Sequence, residues 1–166
     1  MKINKCTMIM TGRVRAILKD ARTGEVKLIT PWSKNILPAC GRAAAARRYG
    51  NYSYFHPLKT NEGAATYGAV GDGSVTPQDT DIKLQNELAR KAIGNSSYSG
   101  TGILIEFFFD ETEANYPITN MGLFGEDATI ATDSGTLMEY AFFAAGFTKT
   151  SSETLTVQCN IQFSQG

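Results

Sequence analysis

The chain has 166 residues, the size of one domain with a substantial hydrophobic core. Its 16 lysines and arginines balance 16 aspartates and glutamates, which argues against a partner held by general electrostatic attraction, such as nucleic acid or an anionic membrane. Charged residues make up only 19% of the chain, and a protein with little charge and no net charge tends to associate, so we expect a homo-oligomer.

The N-terminal segment has neither a signal-peptide pattern nor a membrane-anchor pattern. Thr7, Thr11 and the arginines interrupt its apolar residues, so the roughly 18 consecutive apolar residues of a membrane span are not present. We expect residues 1–166 to form a single domain, with an N-terminal arm at 1–11 and a β-sandwich at 12–166.

The stretch TGRVRAILKDARTGEVKLIT (11–30) predicts a β-hairpin. Val14, Ala16 and Leu18 alternate with polar residues, and a second alternating run follows a turn that contains Gly24. Such alternation is typical of two strands with one face on the core and the other face in water.

Residues 35–50 predict the first of two short helices. Four consecutive alanines have high helix propensity, Pro38 suits the first turn and Gly50 suits the end. The aromatic stretch that follows has no periodicity, and an irregular loop of this length is often functional. Its aromatic side chains could line a ligand site, anchor a neighbouring subunit or pack onto the domain; they are Tyr49, Tyr52, Tyr54 and Phe55.

Residues 65–74 predict a short strand that ends in a glycine turn, and residues 76–94 predict the second helix. The helix start is indicated by the sequence Thr-Pro-x-Asp at 76–79. Apolar residues then recur every four positions, which predicts one buried stripe formed by Leu84, Leu88 and Ala92.

The second half of the chain predicts four strands, at 103–110, 117–125, 135–144 and 153–163. The first of them is apolar on both faces, so we expect a central strand covered on both sides. The last one alternates strictly, which predicts a core face of Leu155, Val157, Cys159, Ile161 and Phe163. Because the strands come in runs, the predicted fold class is mainly β, an antiparallel, jelly-roll-like β-sandwich with two short helices.

The motifs do not assemble a catalytic, cofactor or metal site. His56 is the single histidine, and no serine or cysteine motif accompanies it. The glycine-rich GAVGDGS (68–74) lacks the lysine of a phosphate-binding loop, and the acidic residues after it lack the spacing of a calcium-binding loop. We therefore expect a protein that is not an enzyme and that uses no cofactor and no metal ion.

Three cysteines lie far apart in the sequence, without the paired spacing of a zinc site. All three could be buried, reduced thiols. The odd number also permits a disulfide between subunits, for which Cys6 in the N-terminal arm and Cys40 in the first helix are the candidates. Cys159 is the poorest candidate, because its position in the last strand places it in the core.

The stretch GAVGDGSVTPQDTDIKLQNELAR (68–90) resembles a recurrent pattern in virion proteins of tailed bacteriophages, in which a strand, a turn and a helix follow one another. ITNMGLFG, GTLMEYAFF and ETLTVQCNIQF come later in the same order, so the resemblance covers about residues 12–163. It implies a structural protein made in the host cytoplasm and located in the virion. Such a protein forms a symmetric oligomer in the neck or collar, the tail or the fibre-attachment region, and contacts other virion proteins.

A second function is compatible with the same residues. Carbohydrate-binding modules are also built on β-sandwiches, and a module for host-surface recognition would use aromatic rings to stack on sugars. The candidates for such stacking, or for a subunit interface, are Trp32, Tyr52, Tyr54 and Phe55.

Overall fold

The computed structural model describes residues 8–49 and 63–165. These residues form ten strands and one helix, in the order β1 (Met8–Asp20), β2 (Val26–Ile29), β3 (Ser33–Ile36), α1 (Ala39–Tyr49), β4 (Ala65–Gly71), β5 (Glu87–Ala92), β6 (Asn95–Ser99), β7 (Gly102–Phe109), β8 (Pro117–Gly125), β9 (Thr136–Thr148) and β10 (Glu153–Gln165). The prediction of a mainly β, antiparallel fold of the β-sandwich type is confirmed.

The strands form one curled antiparallel sheet, a half-barrel. Their order is β5-β4-β8-β9-β3-β1-β10-β7-β6, with β2 paired to β1. The two ends of this order meet at a corner between β5 and β6. There the amide of Ile93 donates to Thr66 of β4 and the amide of Gly94 donates to Glu106 of β7, each at 3.0 Å. The curl therefore gives the sheet an inner and an outer face.

The inner face holds the main core. Strand alternation sends every second side chain of β1, β7 and β10 inward, and these residues are fully buried or nearly so: Val14, Ala16, Leu18, Ile105, Phe107, Phe109, Leu155, Val157, Cys159 and Ile161. Each buried aliphatic or aromatic side chain stabilises the fold by about 1.5–3 kcal/mol. The inner face of β8 and β9 completes this core.

The outer face differs between the two halves of the sheet. Over β5, β4, β8 and β9, which we call the covered wall, loop residues make a second core with Leu84 and Ala128 packed against Ala69, Phe124, Leu137 and Tyr140. Over β1, β10, β7 and β6, which we call the bare wall, the outward side chains are half-buried or exposed. The bare wall has no second layer among the described residues.

The prediction of a second helix at 76–94 is wrong. Residues 76–86 are turns and bends, and residues 87–92 form β5, paired with β4 from Tyr67↔Ala92 to Gly71↔Glu87. Asn86 has φ = +47°, a backbone conformation that a helix does not accept. The apolar residues that recur every four positions lie in two different structures. Leu84 is in a loop and is buried under the covered wall. Leu88 and Ala92 are in β5, where pairing with β4 overrides helix propensity.

Four further expectations need smaller corrections. Strand β7 is central, but its outer face is uncovered, and Phe108 is 47% exposed. Phe163 is 37% exposed rather than buried, because β10 extends past the end of the core. β1 begins at Met8 and pairs with β10 from there, so residues 8–11 belong to a strand and not to the expected arm. The first helix starts at Ala39, after β3.

Candidate functional site

A cavity of about 410 Å³ lies between the inner face of the half-barrel and α1. We call it the inner cavity. Its walls are mostly apolar and come from β1, β7, β8, β9, β10 and α1, with contributions from Met10, Ile103, Leu123, Met138, Ile161 and Ala45. Helix α1 reaches this position because Gly41 allows close packing: a Cβ there would lie 2.3 Å from the carbonyl oxygen of Met138.

Glu139 of β9 is an ionisable group inside this apolar space. It lines the inner cavity and is 2% exposed. Burial raises the pKa of Glu139 to about 8, against the opposing effect of a hydrogen bond that the Asn35 amide donates to Oε2. The carboxyl is therefore mostly protonated near neutral pH.

Asn35 of β3 connects this acid to the neighbouring strand. Its amide lies over Gly12, where a Cβ would approach the amide to 2.2 Å, so a side chain at that position of β1 would require the Asn35 amide to move. Oδ1 of Asn35 is buried and has no hydrogen-bond partner among the described residues. Asn35 itself does not line the inner cavity; it lines a separate cleft beside β1.

The cysteines occupy different environments. Cys159 is fully buried near Glu139, and burial raises the pKa of its thiol well above the usual value. Cys40 is a free thiol that donates to the carbonyl oxygens of Leu137 at 3.2 Å and Asp81 at 3.4 Å, and burial raises its pKa as well. Cys6 lies outside the described residues. A disulfide between subunits through Cys6 or Cys40 stays a prediction.

An apolar surface surrounds the opening of the inner cavity. Met8, Tyr49 and Tyr98 are 61%, 86% and 80% exposed, and with Phe163 they form what we call the barrel-end patch. A second cleft of about 500 Å³ between α1 and the ends of β1 and β10 is lined by three of them, and Tyr98 and Phe163 also line the inner cavity. Of the predicted aromatic residues, Tyr49 therefore lies in this patch.

Trp32 lies on the bare wall, away from the patch. The guanidinium carbons of Arg13 and Arg15 are 4.9 and 4.5 Å from its ring centroid. Arg15 begins a row of hydrogen bonds across the sheet, through Gln158 at 2.6 Å and on to Glu106 at 2.5 Å. The structure does not bring Trp32 together with an aromatic partner among the described residues; Tyr52, Tyr54, Phe55 and His56 lie outside them.

A third cleft, of about 880 Å³, opens between β1 and the segment 34–37, where β3 leaves β1 to pair with β9. Its rim includes the ion pair of Arg42 and Asp79, and the hydrogen bond from Arg42 lowers the pKa of Asp79. Both side chains are more than half exposed, so this cleft is a solvated surface feature.

The sequence interpretation missed Glu139 and Asn35. A signal existed for Glu139, because it is the one charged residue in the apolar run LMEYAFF (137–143). No sequence signal existed for Asn35, which is 104 positions away from Glu139 and joins it only through the β3–β9 pairing.

Within the described ranges, no three His, Cys, Asp or Glu side chains are grouped as metal ligands would be. No described helix is long and apolar enough to cross a bilayer. Comparison of the chain with protein-family models, with curated proteins and with solved structures finds no match.

Proposed function

We propose that this protein is a non-enzymatic structural component of a tailed-bacteriophage virion. It forms a symmetric homo-oligomer in the neck or collar, the tail or the fibre-attachment region, and contacts other virion proteins there. The ordered sequence resemblance over about residues 12–163 supports the family, and the low, balanced charge supports self-association.

The observation that carries the oligomer is the barrel-end patch. Met8, Tyr49, Tyr98 and Phe163 place large apolar groups in water around two apolar clefts. Soluble monomers rarely expose contiguous apolar surface of this kind, and aromatic residues and methionine are enriched in the centres of protein interfaces. A second copy of the chain, equally low in charge, is the occupant that we assign to this patch.

A carbohydrate-binding module remains the second candidate, supported by the bare wall. There Trp32 lies beside Arg15, Gln158 and Glu106, whose guanidinium, amide and carboxylate groups are the types that hydrogen-bond sugar hydroxyls. The two guanidinium groups over the ring would have to move before a sugar could stack on it.

The oligomer is tested by light scattering on the purified chain and on two variants. The double variant Tyr98→Ser with Phe163→Ser removes apolar groups from the patch, whereas Phe108→Ser removes a comparably exposed phenylalanine from the bare wall. We expect an oligomer for the parent and for Phe108→Ser, and a smaller mass for the double variant. A parent that stays monomeric at all concentrations contradicts the proposal.

The virion assignment is tested separately, by quantitative mass spectrometry of purified phage particles that encode the chain. We expect a fixed copy number per particle that is a multiple of the oligomer measured in solution. Absence from the particles, together with glycan-array binding that Trp32→Ala abolishes, would replace the structural role with the carbohydrate-binding one.

A further inference from the structure

Strand β1 has an open edge at its N-terminal end. On one side, β1 pairs with β10 over its whole length. On the other side, β3 pairs only with Arg13 and Val14, and β2 pairs only with residues beyond Ala16. Residues 8–12 therefore have no neighbouring strand on this second side among the described residues.

The backbone groups that face the open edge follow from the geometry at Ala16. Its amide donates to Oγ1 of Thr30 at 2.9 Å and its carbonyl oxygen accepts from the Thr30 amide at 3.0 Å, so Ala16 faces away from β10. Successive residues of a strand direct their backbone groups to opposite sides, and the pairing of β1 with β10 has no register shift. Met10 and Gly12 therefore direct their N–H and C=O groups to the open edge.

This edge lacks the features that usually keep an edge strand from pairing with another chain. Natural proteins protect exposed edges with charged residues, proline or a bulge. The sequence MIMTG (8–12) has no charged residue and no proline, and the ladder between β1 and β10 is regular there. The edge is thus a template to which another extended segment can add a strand.

The third cleft, of about 880 Å³, gives such a segment room beside the edge. Residues 10–13 of β1 line one side of this cleft, and residues 34–37 line the other. Because β3 leaves β1 after Val14 to pair with β9, the position next to Met10 and Gly12 is open.

The charges around the third cleft favour an acidic occupant. Arg13, Lys34 and Arg42 line it, and Asp79, the acidic residue in its lining, is already paired with Arg42. Arg13 and Lys34 lie directly opposite each other on β1 and β3, and neither forms an ion pair with a described acidic residue. Like charges in such positions repel each other, and a carboxylate between them would relieve this repulsion.

We propose that the third cleft binds an extended acidic peptide segment of another protein, which adds a strand to the open edge of β1 and places its carboxylates near Arg13 and Lys34. The backbone of the segment pairs with Met10 and Gly12. Its acidic side chains at alternate positions share the outer face of the sheet with Arg13 and Lys34. A second copy of this chain would bring the uncharged MIMTG edge and leave both charges unmatched. This binding property is independent of the proposed role in a virion.

The first experiment is calorimetric titration of the full chain with short blocked peptides at low salt. One peptide alternates valine with glutamate, and the matched control alternates valine with lysine. We expect the glutamate peptide to bind about tenfold or more tightly, with an advantage that shrinks at high salt, because the difference is electrostatic. Equal binding of the two peptides, or no saturable binding of the glutamate peptide, overturns the proposal.

Backbone pairing is tested with two N-methylated forms of the glutamate peptide. One form is methylated at every valine amide and the other at every glutamate amide. An added strand directs only one of these two sets of amides at β1, so we expect one form to lose binding and the other to keep it. Two forms that behave alike contradict strand addition.

The charge requirement is tested by comparing Lys34→Glu with Lys19→Glu, a matched exposed lysine on the outer face of β1 that does not line the third cleft. Circular dichroism checks that both variants fold. We expect Lys34→Glu to lose most of the preference for the glutamate peptide and Lys19→Glu to keep it. An undiminished preference in Lys34→Glu overturns the proposal.

Amide hydrogen exchange of the parent, followed by NMR, tests the open edge directly. We expect the amides of Met10 and Gly12 to exchange rapidly in the free chain and slowly with the glutamate peptide bound. The Thr11 amide, which faces β10, should be protected in both states. Protection of Met10 and Gly12 before any peptide is added would show that another part of the chain or a second copy already covers the edge, and would overturn the proposal.

Discussion

The covered wall and the bare wall are halves of one sheet, yet they are stabilised differently. In the covered wall, β8 is buried on both faces, because Met121 and Leu123 face the main core while Phe124 faces a second core under Leu84. In the bare wall, β10 has one buried face, and its outward threonines, glutamines and asparagine contact water. Strand sequence follows this difference: the second half of β8, residues 121–125, has no polar side chain, whereas apolar and polar residues alternate in β10.

The second layer of the covered wall is made by loops and not by another sheet. Asn120 of β8, fully buried, donates to the carbonyl oxygen of Gln85 at 3.1 Å and to the Tyr140 hydroxyl at 3.3 Å, which fastens the segment 72–86 to the outer face. Arg90 does the same for the segment 126–135, through the carbonyl oxygen of Ser134 at 2.7 Å. Whether a strand is covered on both sides therefore depends on distant loops.

The largest expected effect is a difference in stability loss between two phenylalanine substitutions, one on the outer face of each wall. Phe124 is fully buried, with the Arg90 guanidinium carbon 3.9 Å from its ring centroid. Phe124→Ala should lower the free energy of unfolding by about 3–5 kcal/mol, because it leaves a cavity in the second core. Phe108→Ala, on the bare wall, should lower it by less than about 1 kcal/mol. Urea denaturation of dilute protein measures both; equal losses would show that the bare wall is covered too.

A buried ion pair gives the next prediction. Glu87 and Arg90 are bonded at 2.7 Å on the covered wall with side chains only 1% and 2% exposed. Glu87→Ala should cost about 3–5 kcal/mol, because it leaves the Arg90 charge buried without its partner. The exposed pair of Arg42 and Asp79 is the control, and Asp79→Ala should leave the urea midpoint almost unchanged. A small loss in Glu87→Ala would mean that water reaches Arg90.

The two walls also show what the sequence could and could not predict. The β10 face and the positions of β8 and β9 follow from alternation and from apolar runs, which are local signals. The helix expected at 76–94 failed because Leu84 and β5 owe their structure to pairing and packing with residues far along the chain. The prediction that Phe163 is buried failed for a related reason. Alternation shows which face of the strand a side chain is on, but not where the core ends.

The candidate site was predictable only in small part. The apolar composition of β7, β8 and β10 indicates an interior, but not that helix α1 leaves space within it. The pairing of Glu139 with Asn35 needs β3 to cross from β1 to β9 within four residues, a feature that has no local sequence signature.

The pH dependence of stability provides a smaller test. The pKa of Glu139 is 4.5 as a free group and about 8 in the fold, so between these values the unfolded chain loses a proton that the folded chain keeps. Stability therefore falls as pH rises from about 4.5 to 8, by at most about 1.4 kcal/mol per pH unit.

Glu139→Gln lacks this titration. The unfolding free energy of the parent minus that of Glu139→Gln should accordingly decrease from pH 5 to pH 8. Urea titrations of both proteins at each pH measure it. A difference that does not change over this range would show that the Glu139 carboxyl is solvated and ionised throughout.

The smallest effect concerns Trp32, the single tryptophan, on the bare wall. Arg13→Ala and Arg15→Ala each remove one guanidinium from its ring, so the fluorescence emission should shift to longer wavelength, with a loss of stability below about 1 kcal/mol. Lys19→Ala, on the same outer face, is the control. Unchanged emission in both arginine variants would mean that neither guanidinium shields the ring in solution.

The thirteen-residue pairing of β1 with β10, from Met8↔Gln165 to Asp20↔Glu153, joins the first described strand to the last. During vectorial synthesis β1 leaves the ribosome long before its partner exists, so the sheet closes only after β10 has been synthesised. Such non-local topologies fold in about milliseconds to seconds, in contrast to helical bundles. Throughout that interval the edge of β1 that will pair with β10 has no partner. On a polysome, the β10 of an adjacent nascent chain can compete for it. Strand exchange between chains is therefore the misassembly that this topology has to avoid.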